Sequence, residues 1–203
     1  MLGMRVLLST APARYWQTTN FMLVNFPPLG LASAAAAISP PHSVKIVECS
    51  KHRFRSHNLF AEVKRFGAQV VCFTNNFYPD SVITQKVCRD LKEAFPGLVT
   101  VVGGQAPSFL PEDYIEGGVD YVVLYEAEHT FAELIEFLDG KSDKDVSEIE
   151  GIAWRGEDGQ AVVNPRRALI QNFDDIRMPR RDLLPHYPAF TVRGYPSTAI
   201  ETV

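Results

Sequence analysis

The residues able to do chemistry gather in a few short stretches. Thr74-Asn75 closes one apolar run, Gly103-Gly104-Gln105 closes another, and Glu126 and Glu128 flank Ala127 just ahead of His129-Thr130. A hydroxyl, amides, glycines and carboxylates in such places suit hydrogen bonding and close backbone approach to a ligand. None of these stretches pairs a nucleophile with a base. The three cysteines, Cys49, Cys72 and Cys88, have no metal-like spacing and form no CxxC. Cys49 and Cys72 lie in apolar runs and read as buried, inert thiols of a reducing, cytoplasmic compartment. The pattern indicates binding rather than catalysis.

The elements that must position these residues follow from periodicity. Apolar runs at 4–9, 44–49, 68–74, 98–102 and 120–125 read as strands, and near-continuous runs of this kind suit a parallel sheet covered on both faces. Between them lie helical segments. Pro27-Pro28 opens one, ended by Pro40-Pro41. Apolar spacing over 58–66 gives a second, with Asn58 as N-cap. Asp80 caps a third, which runs through Phe95. Pro111 starts a short fourth, stopped by Gly117-Gly118. Thr130 and Glu133 form a T-x-x-E signature, predicting a helix over 131–139 that ends at Gly140. Five strands alternating with helices predict an α/β fold: a doubly wound, open, five-stranded parallel sheet. In such sheets ligands bind beyond the carboxyl ends of the strands. There the loops read "STAP", "SKHR", "TNN", "GGQAPSF" and "YEAEHTF". After residue 145 the pattern changes. Residues 146–163 read as a β-hairpin around Glu-Asp-Gly, and residues 164–203 as a proline-rich linker or wrapping segment.

Common tenants of this fold are excluded. A phospho-receiver needs an acidic cluster after the first strand and an aspartate ending the third; Ser9-Thr10 and Thr74-Asn75 stand there. GxxxxGK[ST] is absent, since Ile135 replaces the first glycine ahead of Gly140-Lys141-Ser142, and no GxGxxG follows the first strand. A net charge of -4 and a pI near 5.7 argue against a nucleic-acid surface. No apolar run reaches the roughly 20 residues of a membrane span, and no signal-peptide core is present.

Taken in order, "FPPLGLASAAAAI", "AQVVCFTNN", "VTVVGGQAPSFLPEDYIEGGVDYVVLYEAEHTFAELIEFLDG", "EIEGIAWR" and "MPRRDLLPHY" resemble the N-terminal cobalamin-binding domain of B12-dependent radical S-adenosylmethionine (SAM) enzymes. These include anaerobic magnesium-protoporphyrin monomethyl ester cyclases and many methyltransferases. The resemblance covers roughly residues 4–187 and implies a flavodoxin-like or Rossmann-like B12-binding fold over 1–145. It also implies a corrinoid ligand whose nucleotide tail lies against Thr74, Asn75, Gly103, Gly104, Gln105, Glu126 and Glu128. The D-x-H-x-x-G motif that brings a histidine to cobalt is missing, as it commonly is in the resembling family. Radical SAM chemistry needs a CxxxCxxC set for its [4Fe-4S] cluster, and this sequence has none. In the resembling family that set follows a strand reading like "AIET", and "STAIETV" ends the chain here. The expectation is a module cut before the catalytic barrel. SAM and cluster would then belong to the missing part, and this chain would have no catalysis of its own.

Two departures bear on the ligand. The family's Gly-Glu-Gly-Glu-Glu-Thr loop reads Tyr125-Glu126-Ala127-Glu128-His129-Thr130, and Gln105-Ala106 stands where Pro-His is common. Tyr125 either fills cofactor space or stacks on the tail's heterocycle. The competing expectation is a degenerate B12-like domain that binds no cofactor and serves interaction or substrate gating. Each residue also has a purely structural reading. A Gly pair closes a turn, Thr74 caps a strand, the glutamates favour a helix N-terminus, and Trp154 packs a hairpin. Tyr15, Trp16 and Phe21 either close over a cofactor or form satellite core.

Overall fold

Short runs of β-branched and apolar residues become parallel strands where both faces can be buried. The computed structural model describes residues 3–10, 27–49, 56–184, 191–192 and 195–196. Its parallel strands are β1 (Arg5–Thr10), β2 (Ser43–Val47), β3 (Val70–Thr74), β4 (Val99–Gly103) and β5 (Tyr121–Val123). They lie in the order β2-β1-β3-β4-β5. The order reverses between β1 and β3, the switch point at which doubly wound sheets open a crevice for ligands.

Alternation along each strand sorts the core into two layers. Val6 and Leu8, Val70 and Cys72, Val101 and Val123 face α1 (Leu29–Ala37) and α6 (Ala127–Leu138). Leu7, Val71, Phe73, Val102 and Val122 face α2 (Ser56–Phe66), α3 (Ser81–Ala94) and α5 (Pro111–Glu116). Helix α1 is built almost wholly from small residues and is buried along most of its length, so it approaches the sheet and α6 closely. Among the described residues no helix is long and apolar enough to cross a membrane.

Among the described residues the sheet has seven strands, not five. The hairpin strands β6 (Ile152–Arg155) and β7 (Ala161–Val163) continue it antiparallel from β5, pairing Tyr121 with Trp154 and Val122 with Ala153. Ile149 and Ile152 are fully buried, and Trp154 Nε1 donates to Asn164 Oδ1 at 3.0 Å. Apolar burial thus draws the hairpin into the domain. The segment that follows wraps α1 and α6 as a strap. Gly151 N–H donates to Pro165 O at 2.8 Å, Arg180 N–H donates to Ala32 O at 2.9 Å, and Leu184 is buried in the core. Thr191–Val192 and Tyr195–Pro196 pair as a separate two-stranded ribbon.

Helix starts differ from the sequence reading. Helix α2 begins at Ser56, so Asn58 lies inside it and is no N-cap. Asp80 precedes α3 but makes no side-chain capping hydrogen bond. Helix α6 starts at Ala127, so Thr130 lies inside it and is no cap. Its hydroxyl donates to Glu150 O (3.2 Å) and accepts from Arg167 (2.8 Å). A reciprocal capping box forms instead at Asp145 and Glu148, on a single 3-10 turn. A short helix, α4 (Gln105–Phe109), occupies the stretch directly after the Gly pair. Tyr15, Trp16, Phe21, the "SKHR" loop from Ser50 on and the terminal "STAIETV" lie outside the described residues.

Candidate functional site

The carboxyl ends of the parallel strands share one edge, and there a cavity of about 740 Å³ opens. That size fits the roughly 300–1,000 Å³ of small-molecule sites. Alternation puts Cys72, Thr74, Gly103 and Val123 on the α1/α6 side, and all four line the cavity. Gly30, Ser33 and Ala34 of α1 contribute a wall of small side chains. Asn76, Phe77, Gln105, Tyr125, Glu126 and Glu128 also line it. Thr10, ending β1, reaches the cavity as well, so it begins at the topological switch point.

The two glycines differ physically. Gly104 has φ +110, and a Cβ there would meet Asn75 O at 2.5 Å and Asn76 Oδ1 at 2.7 Å. Its neighbour's backbone leaves room for no side chain, and the close approach is sealed by Ala106 N–H donating to Asn75 O at 3.2 Å. Gly103 carries no such demand. A Cβ would meet only Val123 O at 3.7 Å and Val123 Cβ at 3.9 Å, both ordinary contacts. What an added side chain at Gly103 would take is cavity space.

Six of the seven residues singled out in the sequence line the cavity: Thr74, Gly103, Gly104, Gln105, Glu126 and Glu128. Asn75 is placed elsewhere. It is 2% exposed, and its amide donates to Tyr114 Oη at 2.9 Å and Thr84 Oγ1 at 3.2 Å, while its Oδ1 accepts Phe77 N–H at 3.2 Å. It pins the β3–α3 loop from within, and Asn76 takes the place at the cavity. The Glu126 carboxylate accepts Ile170 N–H at 2.7 Å and so holds the strap. Among the described residues, Thr74 Oγ1, Ser33 Oγ and the Glu128 carboxylate make no hydrogen bond to protein and stay available to a ligand. Sequence reasoning passed over Ser33, Asn76 and Phe77. Ser33 interrupts an otherwise apolar helix, and that interruption is the signal that marks it.

The electrostatics favour a neutral floor. Burial pushes the Cys72 thiol up to about 12, so it stays protonated and cannot act as a thiolate ligand at neutral pH. Burial likewise raises Cys49 to about 12, against an opposing hydrogen bond from Ser9. The described lining includes no histidine. A neutral floor with a missing side chain, small residues on one wall, unengaged hydroxyls and two carboxylates at the rim of β5 fit a large, mostly apolar ligand with scattered polar atoms.

Fold and site together define a ligand-binding α/β domain of the flavodoxin-like kind. The B12 binding domain family matches residues 23–135, and the chain belongs to it. An uncharacterized methyltransferase of Pyrococcus horikoshii is 31% identical over 163 residues, spanning 78% of this chain and 34% of that protein. The anaerobic magnesium-protoporphyrin IX monomethyl ester cyclase of Synechocystis is 34% identical over 97 residues, spanning 45% of this chain and 19% of that protein. Among solved structures, the cobalamin-dependent S-adenosylmethionine radical enzyme OxsB with aqua-cobalamin bound superimposes with a TM-score of 0.70. It is 17% identical, with 90% of this chain and 24% of OxsB covered. The chain is thus a B12-binding module resembling those of cobalamin-dependent radical SAM enzymes, and it spans about a third or less of these relatives' lengths.

Proposed function

We propose that the cavity holds the nucleotide tail of cobalamin, in a module serving a radical SAM methyltransferase or ring cyclase. The observation that carries this reading is Gly103. It is a glycine that neither backbone angle nor protein packing requires, set in the floor of a cavity of about 740 Å³ at the switch point. Gly103 leaves the β4 end bare for the tail, and Gly104 lets the β3–α3 loop close up beside it. Thr74 and Ser33 offer hydroxyls, Gln105 and Asn76 offer amides, and the small residues of α1 leave room. Asn75 acts indirectly, by fixing the loop that presents Asn76. When bound, the cofactor supplies a cobalt centre able to carry a methyl group or take part in radical chemistry. This chain's residues bind and orient it. SAM and a [4Fe-4S] cluster belong, in this reading, to a catalytic domain that works with the module; OxsB, an S-adenosylmethionine radical enzyme, supports the SAM part.

The test is to mix the pure protein with hydroxocobalamin, desalt it and record the visible spectrum. Co-elution of a corrin spectrum is the expected result. A second reading, a cofactor-free interaction module, is favoured by Tyr125 standing at the cavity where the resembling family carries glycine. A protein that releases all cobalamin on desalting supports that second reading.

A further inference from the structure

Tyr125 is, among the described residues, the one non-glycine with positive φ, at +57. This left-handed backbone costs an ordinary residue about 1 kcal/mol or more and glycine almost nothing. Outliers of this kind concentrate where a side chain has a task that offsets its strain. The residue is also firmly placed. Its N–H donates to Ser108 Oγ at 2.8 Å, and that hydroxyl donates to Gly104 O at 2.7 Å. Tyr125 lines the cavity and remains 43% exposed.

The ring has a cationic backing. The Arg166 guanidinium lies 3.9 Å from its centroid. Arg166 makes no ion pair among the described residues. Its position is set by anchors on the same strap. Arg167 donates to Thr130 Oγ1 at 2.8 Å and pairs with Glu133, and Ile170 N–H binds Glu126. One face of the ring is therefore covered by a cation carried on an anchored strap, while the residue itself lines the cavity.

Building on the cobalamin reading of this cavity, we propose that Tyr125, backed by Arg166, is a specificity residue that stacks on the flat heterocycle of the corrinoid's nucleotide tail. Stacking on a ring needs no hydrogen-bond partner and suits a cavity whose floor is neutral. A strained tyrosine is then retained because its ring contributes binding energy that glycine lacks.

The experiment compares wild type with Tyr125→Gly, Tyr125→Phe and Arg166→Ala, titrated with hydroxocobalamin and with cobinamide, which lacks the nucleotide tail. A single base–aromatic stack corresponds to about 5- to 150-fold in affinity. Tyr125→Gly should weaken cobalamin binding about tenfold or more while changing cobinamide binding less than twofold. Tyr125→Phe should stay near wild type. Arg166→Ala should weaken cobalamin about two- to fivefold, the scale of an exposed cation–π contact. Tyr125→Gly also relieves the backbone, so an unchanged or raised melting temperature separates lost stacking from lost folding. Tyr125→Gly binding cobalamin as tightly as wild type, or tighter, overturns the stacking role while leaving the cavity assignment intact. Equal losses for both ligands overturn it too. A wild type that binds no cobalamin sinks the cavity assignment and the stacking role together.

Discussion

Replacing Gly103 and Gly104 one at a time separates folding from binding at a single strand end. At Gly103 an added Cβ meets only ordinary contacts, at 3.7 and 3.9 Å. Glycine in a strand is worse than alanine by roughly 0.5–1 kcal/mol. Gly103→Ala should therefore raise the melting temperature by about 1–4 °C, at roughly 2–4 °C per kcal/mol for a chain of this size. Gly103→Val adds branched bulk to the cavity floor. Overpacking a fitted site costs about 1–3 kcal/mol, which is about 5- to 150-fold in cobalamin affinity. At Gly104 the added Cβ would lie 2.5 Å from the Asn75 carbonyl oxygen in a backbone at φ +110. That conformation alone costs an L-residue about 1–3 kcal/mol, so Gly104→Ala should lower the melting temperature by about 2–12 °C. Differential scanning fluorimetry and a visible-spectrum titration with hydroxocobalamin read both quantities on the same samples. Gly103→Val binding cobalamin like wild type would refute the placement of the tail over β4. Gly104→Ala melting like wild type would refute the close-approach argument.

Other outcomes follow from the same structure. Asn75→Ala strands the buried Tyr114 hydroxyl and frees the β3–α3 loop; urea unfolding should show a loss of about 1–3 kcal/mol. With Cys49 and Cys72 pushed up to about 12 by burial, native protein at pH 8 should resist thiol-labelling reagents at both sites until denaturant is added. At Glu133, burial raises the carboxyl, but Lys144 and Arg167 outweigh it and hold it below its ordinary 4.5. A depressed carboxyl contributes stability above its unfolded value and loses it as pH falls through the folded one. Protease sensitivity of residues 166–170 should thus stay low from neutrality down to about pH 5 and rise only below the usual glutamate range near pH 4.3. Sensitivity that rises already near pH 6 would rule out this ion pair as the strap's anchor.

The parallel strands and their order of appearance were legible because each is an apolar run buried on both faces. The cavity followed from them, since parallel strands aim their loops at one edge. What escaped is what local pattern does not encode. The T-x-x-E signature at Thr130 fits a cap, yet a helix start at Ala127 buries Thr130 under the strap, where Glu150 and Arg167 give its hydroxyl better partners. Asn75 and Asn76 are equivalent as letters. The turn after β3 rolls the first inward onto Tyr114, a partner 39 residues on, and leaves the second at the cavity. The hairpin was visible but its pairing to β5 was not, because register between distant segments depends on shared burial. Helix α4 was hidden by Pro107, which a five-residue helix tolerates because its first-turn N–H groups have no intrahelical partner in any case.

The hairpin carries a practical consequence for anyone excising this module. Strand β5 has only three residues, and all three pair with β6. Cutting the chain after residue 145 would leave that ladder open as a bare edge and strip the fully buried Ile149 and Ile152 from the core. Unpaired edges recruit other chains, so such a piece should self-associate through β5 and aggregate during expression. A boundary beyond Leu184, which is itself buried against α1 and α6, keeps the edge covered and the strap in place.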